Sequence, residues 1–393
     1  MRGLIVKRAR RLAFLLAGCV LIGRAAPGRD LTLVTLDPGH FHAALFQREM
    51  LPGIAEEVFV YAPLGPDLTA HLNRVAQFNL RKDQRTTDAK HVIACDAMTD
   101  HFEISSVLQR QLVNDRGIFG DSLKGSVEEP AVYMESLHCL LKAVGGVPNL
   151  RPVWFFDIRQ QGEGLADVGT HLVERAQWAL FPDQVIDYKR DIEVLMGTRW
   201  PTTLTRPQFQ RASGASEFPD FLRDAVKNDP LEYFCNNTLN YTLRGIHVKL
   251  DVRWAFEAQP GDKDTHRAVF RGNTSNIELH QGKDQQFRPE LFVVPRSAGA
   301  KATVRAALKK RLEALQESHP GVALEEQPDR FHVIIPDILR TGHEAHFALV
   351  AQRFLDYVKN PQALPAWEKS NMLAKYYVTT KGVQVARRNL AKP

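Results

Sequence analysis

Leu31-Thr-Leu-Val-Thr-Leu36, closed by Asp37-Pro38-Gly39, is a six-residue apolar and β-branched run cut off by a turn. A run of that length fits a buried strand and is too short for a helix. His40 to Met50 behind it reads as a helix. Glu57-Val-Phe-Val-Tyr61 reads as a second strand, and Pro66-Asp67 opens a second helix running to about Phe78. Strand, helix, strand, helix is the pattern of a parallel sheet. The alternation then stops. Asn79 to Lys90 is a polar loop rich in basic residues, His91-Val-Ile-Ala-Cys95 is one more short strand, and Phe102 to Leu112 is a helix. A complete doubly wound nucleotide domain has about six strands, so this N-terminal sheet is truncated.

The middle of the chain changes character. Val153–Ile158, Glu232–Thr242, His247–Glu257, Thr265–Phe270 and Asn276–His280 are strand-like, with turn residues between them. His247-Val-Lys-Leu-Asp-Val-Arg-Trp-Ala-Phe256 alternates polar and apolar residues, as a half-buried antiparallel strand does. Leu165 to Leu180 reads as a helix. Helices are expected near Ala302–Glu317 and Ala345–Lys359, with strands near Val322–Glu325 and Phe331–Ile335 between them. The predicted fold class is α/β plus α+β: a truncated Rossmann-like parallel sheet, then a domain on an open, mostly antiparallel sheet flanked by helices. The expected divisions are an export signal at 1–26, the shortened nucleotide-binding domain at 27–120, the antiparallel-sheet domain at 121–300 and a C-terminal α/β extension at 301–393.

The chain has 393 residues, 44% of them hydrophobic and 24% charged. That is ordinary globular usage and excludes a disordered or fibrous protein. The net charge of +6 comes from the first 26 residues, which hold Arg2, Lys7, Arg8, Arg10, Arg11 and Arg24 and no acid. The remainder balances at 45 basic and 45 acidic residues. A neutral body lacks the basic footprint of a nucleic-acid binder. The charged start followed by apolar Leu12–Gly23 is too short to span a bilayer and reads as a bacterial secretory signal, with a periplasmic or envelope destination. It ends either at a lipobox-like Leu16-Ala17-Gly18-Cys19 or by cleavage near Ala25-Ala26, so any membrane attachment would come through the signal or a lipid on Cys19. Cys95, Cys139 and Cys235 have no CxxC spacing and read as core thiols rather than a disulfide framework or a zinc site.

The strongest chemical constellation is Gly162-Glu-Gly164-Leu-Ala-Asp167-Val-Gly-Thr-His171. Glycines at a helix start allow close backbone approach. Asp167 and His171, four apart on one helix, would share a face. An acid beside a histidine makes a proton-transfer pair near neutral pH. Taken alone, such a pair is more often an ordinary helix N-terminus with a solvated histidine. Gly342-His343-Glu344-Ala-His346 is not a zinc-protease HExxH, because its second histidine comes one residue early. It reads as a structural helix start, with a place in a substrate pocket as the other reading.

The Gly-x-Gly-x-x-Asp-x-Gly-x-His pattern resembles the signature of the glucose–fructose oxidoreductase, inositol dehydrogenase and rhizopine-catabolism (Gfo/Idh/MocA) family. Leu36-Asp-Pro-Gly-His-Phe-His-Ala-Ala-Leu45, Ser136-Leu-His138, Arg151-Pro-Val-Trp-Phe-Phe-Asp157 and Gly342–Phe347 resemble an exported bacterial branch with its own C-terminal extension. The resemblance covers roughly residues 31–380. It implies an NAD- or NADP-dependent oxidoreductase acting on a sugar or polyol in carbohydrate metabolism, and a homo-oligomer formed through the open sheet. It also implies His171 as the proton-transfer residue with Asp167 beside it. Gly39, His40, His42 and Asp67 fall where the cofactor is expected, and His138, Trp154, Gly162 and Glu163 where the substrate is expected.

This chain departs from the family in two places. Its first turn keeps only Gly39 of the glycine-rich loop, and the family's Glu-Lys-Pro motif is missing between Asn79 and His91. Lys142, downstream of Ser136 and His138, is a lysine that could reach the site, with a surface helix lysine as the other reading. Two further readings stand beside the oxidoreductase. One is a degenerate member without productive cofactor binding, serving as a binding or scaffold protein. The other is a metal-dependent hydrolase built on His40 and His42, since imidazoles two apart at a strand end can chelate a divalent cation.

Overall fold

The computed structural model describes residues 20–23, 31–36, 44, 47, 54–62, 66–80, 96, 98–144, 147–148, 150–260 and 262–390. The backbone divides into two compact units. One is Met1–Cys95 with Phe354–Leu364, and the other is Asp96–Arg353 with Pro365–Pro393.

In the first unit β1 (Val20–Gly23), β2 (Leu31–Leu36) and β3 (Ile54–Tyr61) form a sheet in that order. β2 and β3 are parallel, and β1 adds antiparallel to the edge of β2. β1 is the end of the apolar segment read as an export signal. Leu33, Val58 and Val60 are buried, and Leu68 of α1 (Pro66–Asn79) packs on them. The helix expected over His40–Met50, the loop over 81–90 and the strand at His91–Cys95 lie outside the described residues, apart from helical Ala44 and a turn at Gln47.

The second unit is built on a nine-stranded sheet. Its strands are β4 (Val132–Leu141), β7 (Ile192–Leu204), β8 (Leu231–Leu243), β9 (Ile246–Glu257), β10 (Thr265–Arg271), β11 (Ser275–Gln281), β12 (Glu290–Pro295), β13 (Ala323–Glu326) and β14 (Phe331–Ile334). Their order is β13-β14-β12-β11-β10-β4-β9-β8-β7. Every pair is antiparallel except β4 with β9. The two-residue strands β5 (Ala143–Val144) and β6 (Val147–Pro148) pair with each other beyond β4. Alternation buries Val248, Leu250 and Val252 of β9 against the helices.

The helices include α2 (Ile104–Val113), α3 (Glu163–Ala166), α4 (Gly169–Leu180), α5 (Ala298–Leu315), α6 (His343–Lys359) and α7 (Glu368–Leu390), beside shorter ones at Ile158–Gln161 and Arg206–Ser213. Leu172, Val173, Ala176 and Ala179 give α4 one buried stripe. α7 packs on β7 and α4. At its Gly382 a Cβ would meet the Leu165 and Leu239 methyls at 2.9 Å, so a larger residue there would have to displace both side chains.

Two sequence expectations give way to packing. Val153–Ile158 is not a strand. Val153–Phe156 is a 3-10 turn after Pro152, and Asp157 accepts from the Arg159 N–H at 3.0 Å to start a short helix. Phe155 and Phe156 are adjacent and both buried against Tyr233, whereas strand alternation would send one of them outward. Leu165–Leu180 is not one helix. Asp167 leaves helical geometry at φ −90°, ψ −100°, closing α3 before α4 begins. Cys139 and Cys235 are buried free thiols, and burial pushes Cys235 up to about 12.

Candidate active site

The Gly162–Glu163–Gly164 stretch is a packing device. Gly162 sits at φ +93°, a left-handed position that glycine adopts without penalty. A Cβ on Gly164 would stand 2.2 Å from the Cys235 carbonyl oxygen, so its absence seats α3 on β8. Glu163 is fully buried, takes a left-handed φ of +71° and pairs with Arg199 at 3.2 Å and Arg387 at 2.9 Å. Gly162 and Glu163 therefore lie in the scaffold, outside the lining of the cavity described next. Trp154 is also absent from that lining and is 48% exposed.

The break at Asp167 places that carboxyl and His171 at a cavity of about 500 Å³. His138 and Ser136 reach it from β4, Lys142 from beyond that strand, and His266 from β10. Asp100 comes from a 3-10 turn at Thr99–His101, Arg175 from α4 and His346 from α6. Of the eleven residues singled out in the sequence, the cavity brings together Asp167, His171, Lys142 and His138. Gly39, His40 and His42 lie outside the described residues, and Asp67 is the second residue of α1.

His171 is held by Asp100 rather than by Asp167. Its Nδ1 lies 2.6 Å from Asp100 Oδ2, and Nε2 has no hydrogen bond among the described residues. An Nδ1–H donated to the carboxylate leaves the Nε2 lone pair for a ligand. Burial works against charge on this imidazole. The bond and charge of Asp100, with Asp167 adding to them, outweigh it and raise His171 above its ordinary value. Burial likewise opposes ionisation of Asp100, yet His171 and then Arg175 hold its carboxyl well below the usual range. Asp167 is shifted the other way, raised by burial against the opposing charges of His138, Arg151 and His171.

Behind this pair the buried Arg175 donates to Gln109 Oε1 at 2.8 Å and to His266 Nε2. Burial and the Arg175 charge keep His266 far below its ordinary value, so it is a neutral acceptor. The far wall holds a second relay. Asp264 Oδ2 accepts from Lys142 Nζ at 2.6 Å and lies 3.0 Å from His138 Nδ1, while Asp264 Oδ1 accepts from the Cys139 N–H at 3.1 Å. His138 Nε2 is 2.7 Å from Ser136 Oγ. Burial pushes Asp264 upward, but His138 and Lys142 prevail and bring it down to about 2.

The cavity lining thus includes two carboxylate–histidine pairs, Arg175, Lys142, Glu103 and Asp167, whose carboxyl burial pushes upward. That set can donate and accept hydrogen bonds to several hydroxyl groups and move one proton. Among the described residues no three His, Cys, Asp or Glu side chains are grouped to hold a metal ion.

Asp100, Arg175, Asp264 and His266 were not singled out from the sequence. Arg175 was legible, being four residues from His171 on one helix face. Asp264-Thr-His266, an acid and a histidine at a strand start, was a weaker signal. Asp100 stands 71 residues from His171 and had none.

A family model described as “Putative oxidoreductase C terminal domain” matches residues 108–387. A solved “putative oxidoreductase” from Parabacteroides merdae is 36% identical, with 93% of this chain and 99% of that chain covered and a TM-score of 0.73. More distant is a “putative oxidoreductase” from Erwinia carotovora atroseptica, at 12% identity, 92% and 81% coverage and a TM-score of 0.46. Another from Thermotoga maritima stands at 10% identity, 91% and 97% coverage and a TM-score of 0.46. No curated protein matches.

Proposed function

From the premise that the chain belongs to this oxidoreductase family, of the Gfo/Idh/MocA type, we propose that it interconverts a secondary alcohol of a sugar or polyol and the corresponding ketone with NAD or NADP. The observation that carries the reading is the Asp100–His171 pair opening onto a cavity with Lys142 and Asp167 in its lining.

The described residues fit a nicotinamide cofactor in one respect: β2 and β3 are parallel, and dinucleotides bind beyond the carboxyl ends of such strands. Gly39, His40, His42 and Asp67 follow those strand ends in the sequence and are the residues assigned to hold it. When bound, the cofactor supplies the hydride acceptor or donor.

The chain's own residues supply binding and proton transfer. Nε2 of His171 takes the proton of the reacting hydroxyl as the alcohol is oxidised, and returns it in reduction. Asp100 holds the ring in the tautomer that leaves Nε2 free and stabilises the imidazolium that forms. Lys142, fixed by Asp264, donates to the oxygen as negative charge develops on it. Asp167 and the Ser136 hydroxyl, held by His138, bind neighbouring hydroxyls and orient the ring.

The test is to follow NADH and NADPH fluorescence with the full chain, then NAD(P)⁺ reduction across a sugar and polyol panel. Saturable binding with turnover that falls about 10²–10⁴-fold in His171→Asn fits the loss of a general base. A folded protein that binds neither cofactor supports the degenerate reading instead. Export belongs to the same proposal and is read from the N-terminus of the mature protein. Assembly through the open sheet is read by sedimentation.

A further inference from the structure

We propose that the reaction cavity continues into a distal compartment and that the ligand has at least two sugar rings, a disaccharide or glycoside. The inference rests on the sugar reading above and narrows it. A neighbouring cavity of about 530 Å³ adjoins the first. The two share Lys142, Asp264 and Gln281 in their walls. Ligand sites run to roughly 300–1,000 Å³, so each compartment alone is roomy for a small ligand and the pair suits an extended one.

The far wall carries Phe287, Glu257 and Lys263. Phe287 is half-buried, belongs to no hydrophobic cluster and packs against no other aromatic ring among the described residues. Its backbone is left-handed at φ +59°, directly after Gln286 at φ +53°. Two successive non-glycine residues in that region are held only where the surroundings enforce it, and such positions cluster at ligand sites. Here the Phe287 N–H donates to the Gly282 carbonyl at 2.8 Å, and the Gln286 N–H to the Lys283 carbonyl at 2.9 Å. The turn thereby places an aromatic face in a polar cleft. The negative face of an aromatic ring attracts the polarised C–H groups of a pyranose, while Glu257, Lys263 and Gln281 can bond its hydroxyls.

The charges in this compartment are of both signs, with Glu257 already bonded to Arg211 at 2.8 Å. That suits a neutral polyhydroxylated ring rather than a phosphate. The reacting ring lies at His171, the second ring lies on Phe287, and Lys142 and Asp264 flank the linkage between them.

The test is calorimetric titration of the full chain, with NADP⁺ present and absent. The probes are α- and β-linked gluco-, galacto- and manno-disaccharides and their methyl monosaccharides. At least one disaccharide is expected to bind tenfold or more tightly than either component. Phe287→Ala should abolish that advantage without changing monosaccharide affinity, and Phe287→Tyr should keep it. Monosaccharides and disaccharides binding equally, with Phe287→Ala silent, would overturn the distal compartment and leave the sugar site at His171 standing. No sugar of either length binding would overturn the sugar reading and this inference with it.

Discussion

Asp100→Asn keeps the shape of a side chain and removes its charge, so it isolates the electrostatic part of the 2.6 Å bond to His171. A hydrogen bond to a charged group contributes roughly 1.5–3 kcal/mol and a neutral one about 1 kcal/mol. The His171 side chain is 37% exposed, and solvent screening reduces the charge portion, so the expected cost is about 1 kcal/mol. That cost depends on pH. His171 is raised in the folded state, so its contribution is complete below about pH 6.5 and is lost as pH rises through the folded value. Asp100 is lowered, so its contribution is complete above about pH 4 and is lost as pH falls through its folded value. The pair therefore stabilises the fold most near pH 5–6. Urea denaturation of the parent and Asp100→Asn proteins at pH 5.5 and 8.5 measures this. The variant's deficit should be larger at pH 5.5 by about 1 kcal/mol. Arg175, 3.9 Å from the same carboxylate, adds a part that does not vary between those two pH values. A deficit identical at both pH values would refute the charged pair, and so would an unchanged His171 titration in the NMR spectrum of the variant.

Gly164→Ala should lower stability by about 3 kcal/mol or abolish folding, since its Cβ would lie 2.2 Å from the Cys235 carbonyl oxygen; a thermal melt within a degree of the parent would contradict the close approach of α3 to β8. Glu163→Ala should cost about 3–5 kcal/mol, because it strips Arg199, a nearly buried guanidinium, of its carboxylate. Denaturant midpoints measure it, and a loss under about 1 kcal/mol would mean the pair is solvated. In the direction of alcohol oxidation, kcat/KM should rise with pH along a limb lying above the ordinary histidine value, because His171 must be neutral to accept the proton. In Asp100→Asn that limb should move to lower pH, and a limb that stays in place would remove Asp100 from the proton path.

The periodic signals were read correctly where one interaction dominated. β2, β8, β9, β10 and β11 were legible because alternation or an unbroken apolar run reports burial directly. β4 was not, since Met134, Glu135 and Leu137 carry no strand preference and their conformation is set by pairing with β9 and β10. The Phe155–Phe156 turn and the break at Asp167 were equally invisible, being imposed by the aromatic cluster at Tyr233 and by the seat of α3 on β8.

By itself the sequence determined the family and the two kinds of sheet, because these rest on motif spacing and periodicity. Tertiary structure alone decided which acid serves which histidine. Asp100 reaches His171 across 71 residues and Asp264 reaches His138 across 126, and no local spacing encodes a contact made by bringing distant segments to one end of a sheet. It also decided that Glu163, inside the most informative motif, belongs to the scaffold. A carboxylate between two arginines and one between a histidine and a cavity look alike in one dimension, and only burial and neighbouring charge separate them.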